Sequence, residues 1–202
     1  MEVRELVEVK ARAAKAAARV LALCPGKVKD EALAQMAQAL EESAHTILEA
    51  NRADLERARA HGSTRAFLDR LTLTERRIEE MAEGLRQIAH LPDPVGKVVE
   101  VWHRPNGMEI RRVRVPLGVI AVIYEARPNV TADAAGLCIK AGNTVILRGG
   151  SEALESNAVI AGVLSKALEK ANVPSEAIQV IDTRDREAVM ALLALHRYVD
   201  LI

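Results

Sequence analysis

The sequence predicts an α/β protein: N-terminal helices, then a β-hairpin arm, then the first part of a doubly wound parallel sheet. Three observations predict it. Through residue 95, apolar residues recur at three- and four-residue spacing, the period of a helix. Between 97 and 115 the period drops to two around an Asn-Gly turn. From Leu117 onward, short β-branched runs alternate with helical stretches, as parallel strands joined by right-handed crossovers require. The boundaries fall at 1–96, 97–116 and 117–202.

In the first segment a helix spans roughly Val3–Leu23 and stops at Cys24-Pro25-Gly26, which cannot continue it. Asp30 is the expected N-cap of the next helix, in which Leu33, Met36, Ala37 and Leu40 share a face. Asn51 is the expected cap of a third, ending at His61-Gly62. Thr72-x-x-Glu75 reads as a capping box before a helix whose Ile78, Met81, Leu85 and Ile88 line one side. In the arm, Lys97–Arg104 and Met108–Val115 flank Pro105-Asn106-Gly107, and the alternation slips between Ile110 and Val113, which predicts a bulge there. Arg104, Arg111, Arg112 and Arg114 make the arm locally basic: either an anion or nucleic-acid contact, or a solvated or subunit-facing ribbon, which zero net charge and the lack of interleaved aromatics beyond Trp102 favour.

The third segment predicts strands at Gly118–Ile123, Thr144–Leu147, Ala177–Ile181 and Tyr198–Ile202. Helices are expected between them at Ala132–Ala141, Ala153–Lys170 and Arg186–Leu195. A parallel strand is normally buried on both faces and leads into a crossover. A sequence that stops on Leu201-Ile202 therefore reads as a fold truncated before its remaining part.

Composition narrows the function classes. The 28 basic residues balance 28 acidic ones, which removes a bulk electrostatic case for nucleic acid or an anionic membrane. Aromatics are 2%, too few for base-stacking platforms. No apolar run approaches ~18 residues, and the start, MEVRELVEVK, is too charged for a signal peptide. Two cysteines make no disulfide framework, and the five histidines are scattered without ligand spacing, so no metal site is expected. A soluble, cytoplasmic protein is the expectation, with neither nucleic acid nor membrane as partner.

Ligands of open α/β sheets bind outside the carboxyl ends of the strands. Two such ends carry unusual residues. Tyr124-Glu125-Ala126-Arg127-Pro128-Asn129-Val130 offers a guanidinium and an amide ahead of a helix N-terminus, which favours anions. Arg148-Gly149-Gly150-Ser151-Glu152 offers a second guanidinium, glycines that admit close approach, and an acid able to accept from ribose hydroxyls. An Arg at such a strand end favours a nicotinamide cofactor with a 2′-phosphate, NADP or NADPH. There is no G-x-G-x-x-G, and Gly149-Gly150 is equally compatible with an ordinary strand-to-helix turn. Nothing in the sequence sets a base beside Cys24 or Cys138.

Long co-linear blocks carry a resemblance. Residues 71–89 with 91–96, Arg-Val-Pro-Leu-Gly-Val-Ile (114–120), Tyr-Glu-Ala-Arg-Pro-Asn-Val-Thr (124–131) and Lys-Ala-Gly-Asn-Thr-Val-Ile-Leu-Arg-Gly-Gly-Ser-Glu (140–152) are similar to the gamma-glutamyl phosphate reductases. These are glutamate-5-semialdehyde dehydrogenases of the aldehyde dehydrogenase superfamily, and the likeness covers about the first half of their usual length. It implies that 117–202 is a partial, Rossmann-like dinucleotide-binding domain and that the arm serves homo-oligomer assembly. Arg148 takes the place of the superfamily's ribose- or phosphate-contacting lysine, with Gly149, Gly150, Ser151 and Glu152 completing the cofactor contacts. Ser151 stands at the spacing of the ribose-binding acid, and Glu152 lies one residue later. Asn129 is the candidate oxyanion donor, although an ungapped count lands on Glu125, and Arg127 is the candidate ligand of substrate phosphate or carboxylate.

The implied reaction is NADPH-dependent reduction of L-glutamyl 5-phosphate to L-glutamate 5-semialdehyde with release of phosphate, a step toward proline, through a cysteine thioester. The family's nucleophilic cysteine lies beyond residue 202, so these residues alone are expected to be inactive. Two alternatives stand beside this reading: another acyl-reducing member of the superfamily, or a non-catalytic assembly or regulatory module.

Overall fold

The computed structural model describes residues 2–202. Five helices come first: α1 (Val3–Leu21), α2 (Gly26–Glu42), α3 (Ala44–Ala60), α4 (Arg65–Leu71) and α5 (Glu75–His90). The arm is the antiparallel pair β1 (Val98–His103) and β2 (Glu109–Val113). Then follow β3 (Val119–Ile123), α6 (Asn129–Lys140), β4 (Thr144–Arg148), α7 (Leu154–Lys170), β5 (Ile178–Val180) and α8 (Glu187–Ala194).

The sheet runs β5–β4–β3, all parallel, with Leu201 bridging Ile120 on the free edge of β3. In order along the chain this is three, two, one, four, so the winding reverses beside β3. The expected fourth strand is reduced here to that single parallel bridge: Ala121 N–H donates to Leu201 O at 2.8 Å and Asp200 N–H to Val119 O at 2.9 Å.

The pleat sorts the core. Val119, Ala121 and Ile146 face α1 and α8, burying Val7, Ala11, Ala14, Ala18 and Leu192. Val145, Leu147 and Ile178 face the other way, into the layer of α2, α5, α6 and α7. The N-terminal helices thus cover both faces of the sheet, as a buried parallel sheet requires. The small Ala side chains of α1 let that helix approach the sheet closely. The arm contributes no fully buried residue, and Val99, Val101, Val113 and Val115 are exposed.

Several local expectations are corrected. Asp30 does not cap α2, which begins at Gly26 behind Pro25; its carboxylate instead receives the ammonium of buried Lys140, which also donates to Ala89 O at 2.7 Å. Asn51 lies inside α3 rather than at its start. Its amide donates to Leu71 O at 2.9 Å and Ser156 Oγ at 3.1 Å, and accepts from Leu73 N–H at 2.8 Å. The Thr72–Glu75 capping box does not form. Helix α5 starts two residues later than that box implies, and Thr74 caps it singly by accepting from Arg77 N–H at 3.2 Å, with an arginine where a box needs an acceptor. The Thr72 hydroxyl turns back to Leu68 O at 2.6 Å and closes α4. The register irregularity of the hairpin falls on the opposite strand, at Val99, facing Arg112 and Val113. Helix α6 starts at Asn129, three residues before the expected Ala132.

Candidate functional site at the carboxyl edge of the sheet

Both loops singled out in the sequence leave the same edge of the sheet and touch each other. Tyr124 N–H donates to Arg148 O at 3.1 Å, which extends the β3–β4 ladder by one bond. The Tyr124 hydroxyl pairs with Thr131 Oγ1 at 2.6 Å, and that hydroxyl donates to Asn157 Oδ1 at 3.0 Å. Burial pushes the Tyr124 phenol up to about 12, so it stays neutral and serves as a tie between loop and helices.

The loop after β4 is packed inward. A Cβ on Gly149 would overlap the Asn157 amide and lie 3.1 Å from the Tyr124 ring; one on Gly150 would lie 3.0 Å from Ala126 N. Glycine is needed at these positions for packing against the chain itself. Arg148 is 6% exposed; its Nη1 donates to the Gly149 carbonyl and its Nε has no partner. A buried guanidinium with no carboxylate beside it is a charge left for an anion to neutralise.

Ser151 and Glu152 stand at the surface, on a cavity of about 370 Å³ shared with Asp54, Arg57, His61, Ser63 and Arg184. Behind it, buried Asp54 of α3 caps α7 from outside: its carboxylate accepts from Ser156 N–H and Ser156 Oγ at 2.8 Å each, and from Glu155 N–H at 3.3 Å. Arg57 Nη1 adds a contact at 3.2 Å. Burial still outweighs these donors and holds the Asp54 carboxyl above the usual range.

The loop after β3 faces outward. Arg127 and Asn129 are exposed on the rim of a second cavity, about 390 Å³, closed by Asp69, Arg70, Thr72, Leu73, Arg77, Glu80 and Met81 from the α4–α5 side and by Asp133 of α6. Asn129 Nδ2 donates to Asp133 Oδ2 at 3.2 Å. The two candidate substrate residues, Arg127 and Asn129, thus share one cavity, while Arg148, Gly149 and Gly150 line neither.

Sequence reasoning missed Arg57 and Arg184 beside Glu152, and Arg70, Arg77 and Asp133 around Arg127. Arg57, Arg70 and Arg77 come from the N-terminal helices and Arg184 from the loop before α8, which only the fold brings to the edge; Asp133 lies one turn beyond Asn129 and was readable as its neighbour on α6. Among the described residues, no cluster of three His, Cys, Asp or Glu is placed to hold a metal ion, and no helix is long and apolar enough to cross a membrane. Burial pushes the Cys138 thiol up to about 11, and it raises Cys24 despite nearby Lys29, so neither is an activated nucleophile.

A doubly wound parallel sheet with its polar loops gathered at the carboxyl edge defines a nucleotide-binding class of fold. Residues 3–202 match the model of the aldehyde dehydrogenase family, and the chain belongs to that family. It is 55% identical, over all 202 residues, to the gamma-glutamyl phosphate reductase of Moorella thermoacetica and spans 48% of that protein. Two solved structures are similar. The gamma-glutamyl phosphate reductase of Thermotoga maritima superposes at a TM-score of 0.94 with 40% identity, over 96% of this chain and 47% of that one. The Saccharomyces cerevisiae enzyme of the same name gives 0.87 and 32%, over 96% and 50%. The chain therefore spans about half the length of the relatives it matches.

Proposed function

We propose that these residues form the cofactor-side half of a gamma-glutamyl phosphate reductase, which reduces L-glutamyl 5-phosphate to L-glutamate 5-semialdehyde with NADPH and releases phosphate. The supporting observation is the uncompensated, buried guanidinium of Arg148 at the carboxyl end of β4, in a chain 55% identical to a reductase of that name. The residues fit a phosphorylated nicotinamide cofactor in charge and donor set. Arg148 would neutralise the 2′-phosphate, and Ser151 and Glu152, on the rim of their cavity, would hold ribose hydroxyls. When bound, NADPH supplies the hydride.

The remaining work belongs to this chain's own groups. Asn129 is an amide at the start of α6 whose Nδ2 already donates to a carboxylate, and it would donate to an oxyanion developing on the acyl carbon. Arg127 offers a free guanidinium on the same rim to the departing phosphate or the substrate carboxylate. Since neither Cys24 nor Cys138 is activated, the 202 residues alone have no turnover on this reading. The exposed valines of the arm are its candidate self-association surface, giving a homo-oligomer.

The test is the reverse reaction of the protein expressed from its full reading frame: oxidation of L-glutamate 5-semialdehyde with NADP, followed at the nicotinamide absorbance. Turnover is expected to require inorganic phosphate and to be absent without it. Replacing Arg148→Met should reduce the preference for NADP over NAD by about 10-fold or more, the scale of one charge-assisted phosphate contact. Turnover independent of phosphate would overturn the reductase assignment; an unchanged NADP/NAD ratio in the variant would remove Arg148 from it.

A further inference from the structure

One turn of α6 faces two ways: Asn129 stands on the rim of the open cavity, and Thr131, two residues on, is fully buried. The Thr131 hydroxyl sits between the Tyr124 hydroxyl at 2.6 Å and Asn157 Oδ1 at 3.0 Å. Asn157, buried in the first turn of α7, offers that oxygen only as an acceptor. Thr131 therefore gives its one proton to Asn157, and Tyr124 must donate to Thr131. A phenol whose pKa burial pushes up to about 12 keeps the proton that this donation needs. The chain of bonds runs one way, from Tyr124 through Thr131 to Asn157.

Both ends of this chain rest on the loop after β4. Tyr124 N–H donates to Arg148 O at 3.1 Å. A Cβ on Gly149 would overlap the Asn157 amide nitrogen and lie 3.1 Å from the Tyr124 ring. The opposite wall of the cavity is tied to the same turn of α7. Ser156 Oγ accepts from the Asn51 amide at 3.1 Å, and Asn51 also holds Leu71 O at 2.9 Å and Leu73 N–H at 2.8 Å in the α4–α5 corner. Both walls of the cavity and the loop that carries Arg148 are thus fastened to the head of α7. Apolar side chains of the same size would fill this space; hydroxyls and amides also fix direction and separation.

We propose that Thr131 and Asn157 are positioning residues for hydride transfer: the chain from Tyr124 holds Asn129 against the loop of Arg148 at the separation the reaction requires. The inference deepens the reductase reading and rests on it for the reaction being positioned. Thr131 and Asn157 act through α6 and the β4 loop, where a displacement of ~1 Å can cost about 100-fold in rate.

Two variants of one side chain test this in the protein expressed from its full reading frame: Thr131→Val, which nearly keeps the shape and removes the hydroxyl, and Thr131→Ser, which keeps the hydroxyl. With NADP, phosphate and L-glutamate 5-semialdehyde, Thr131→Val should lower kcat at least ~10-fold while each KM stays within about 2-fold. Thr131→Ser should restore kcat to within about 3-fold of the parent. If Thr131→Val does not fold, Tyr124→Phe removes the first link alone and should lower kcat by about 3-fold or more. Independently of turnover, amide hydrogen exchange in the variant that lacks the link should quicken ~10-fold or more both in 129–133 and in 149–157, on the two different loops. An unchanged kcat per folded molecule, or equal losses in the Val and Ser variants, would overturn the proposal, as would faster exchange confined to α6. A parent that oxidises the semialdehyde without phosphate overturns the reductase reading alone, and the same kcat and exchange comparisons still decide the role of the chain. A parent with no turnover overturns both.

Discussion

The loop after β3 and the loop after β4 begin alike, with an arginine at or near the strand end and a helix close behind, yet they point their polar groups in opposite directions. After β3, Arg127 and Asn129 are exposed on an open cavity; after β4, Arg148 and Gly149 are buried. What stands behind each loop decides the difference. The β4 loop backs onto Asn157 and the Tyr124 ring, which fill the space a side chain at Gly149 would need. The β3 loop faces a gap between α6 and the α4–α5 corner, so its side chains reach solvent. The backbone of the β4 loop is therefore packed against the chain itself, whereas the β3 loop presents its arginine and amide to an open cavity.

If the β4 loop is a packed element, its support should dominate stability. Asp54 is that support, fully buried and accepting from Ser156 and Glu155 at the head of α7. Asp54→Ala leaves two backbone donors and a hydroxyl buried beside Arg57 without their acceptor, and should cost about 3 kcal/mol in urea unfolding. A loss below about 1 kcal/mol would mean that α3 does not hold this loop.

A second substitution pair sets the loops directly against each other. Gly149→Ala forces the Asn157 amide and the Tyr124 ring to move and should cost about 2 kcal/mol. Arg127→Ala, on the opposite loop, should change stability by no more than about 0.5 kcal/mol. Equal losses in the two variants would erase the distinction.

The distinction was only half legible in the sequence. The strands from Val119 were readable because β-branched runs bounded by Gly and Asn have few other uses, and the Asn-Gly turn announced the hairpin. Asn51 misled because an amide inside a helix looks like a cap when its cross-chain partners, Leu71, Leu73 and Ser156, are unknown. Asp30 misled in the same way, being the partner of a lysine 110 positions away. Helix α4, seven residues long, is too short for a periodic signal. That Arg148 is buried and Arg127 exposed was not readable, because burial depends on neighbours that the fold supplies.

The smallest expected effect concerns a carboxylate on the open side, Asp133. Its folded-state pKa lies above the ordinary value because burial disfavours the charge and the one hydrogen bond it accepts, from Asn129, does not offset that. The folded form therefore holds its proton to higher pH than the unfolded form, and stability from this group is greatest below the unfolded pKa and falls as pH rises through the folded one. Asp133→Asn has no such dependence. Against the parent it should be neutral near pH 3.5 and more stable by about 0.5 kcal/mol at pH 7, measured as Tm across that range. A variant less stable at pH 7 would make the carboxylate a structural asset, like Asp54. The expected sign makes it the reverse of Asp54: a half-buried charge with one hydrogen bond that weakens the fold, where Asp54 gathers several donors and holds two helices together.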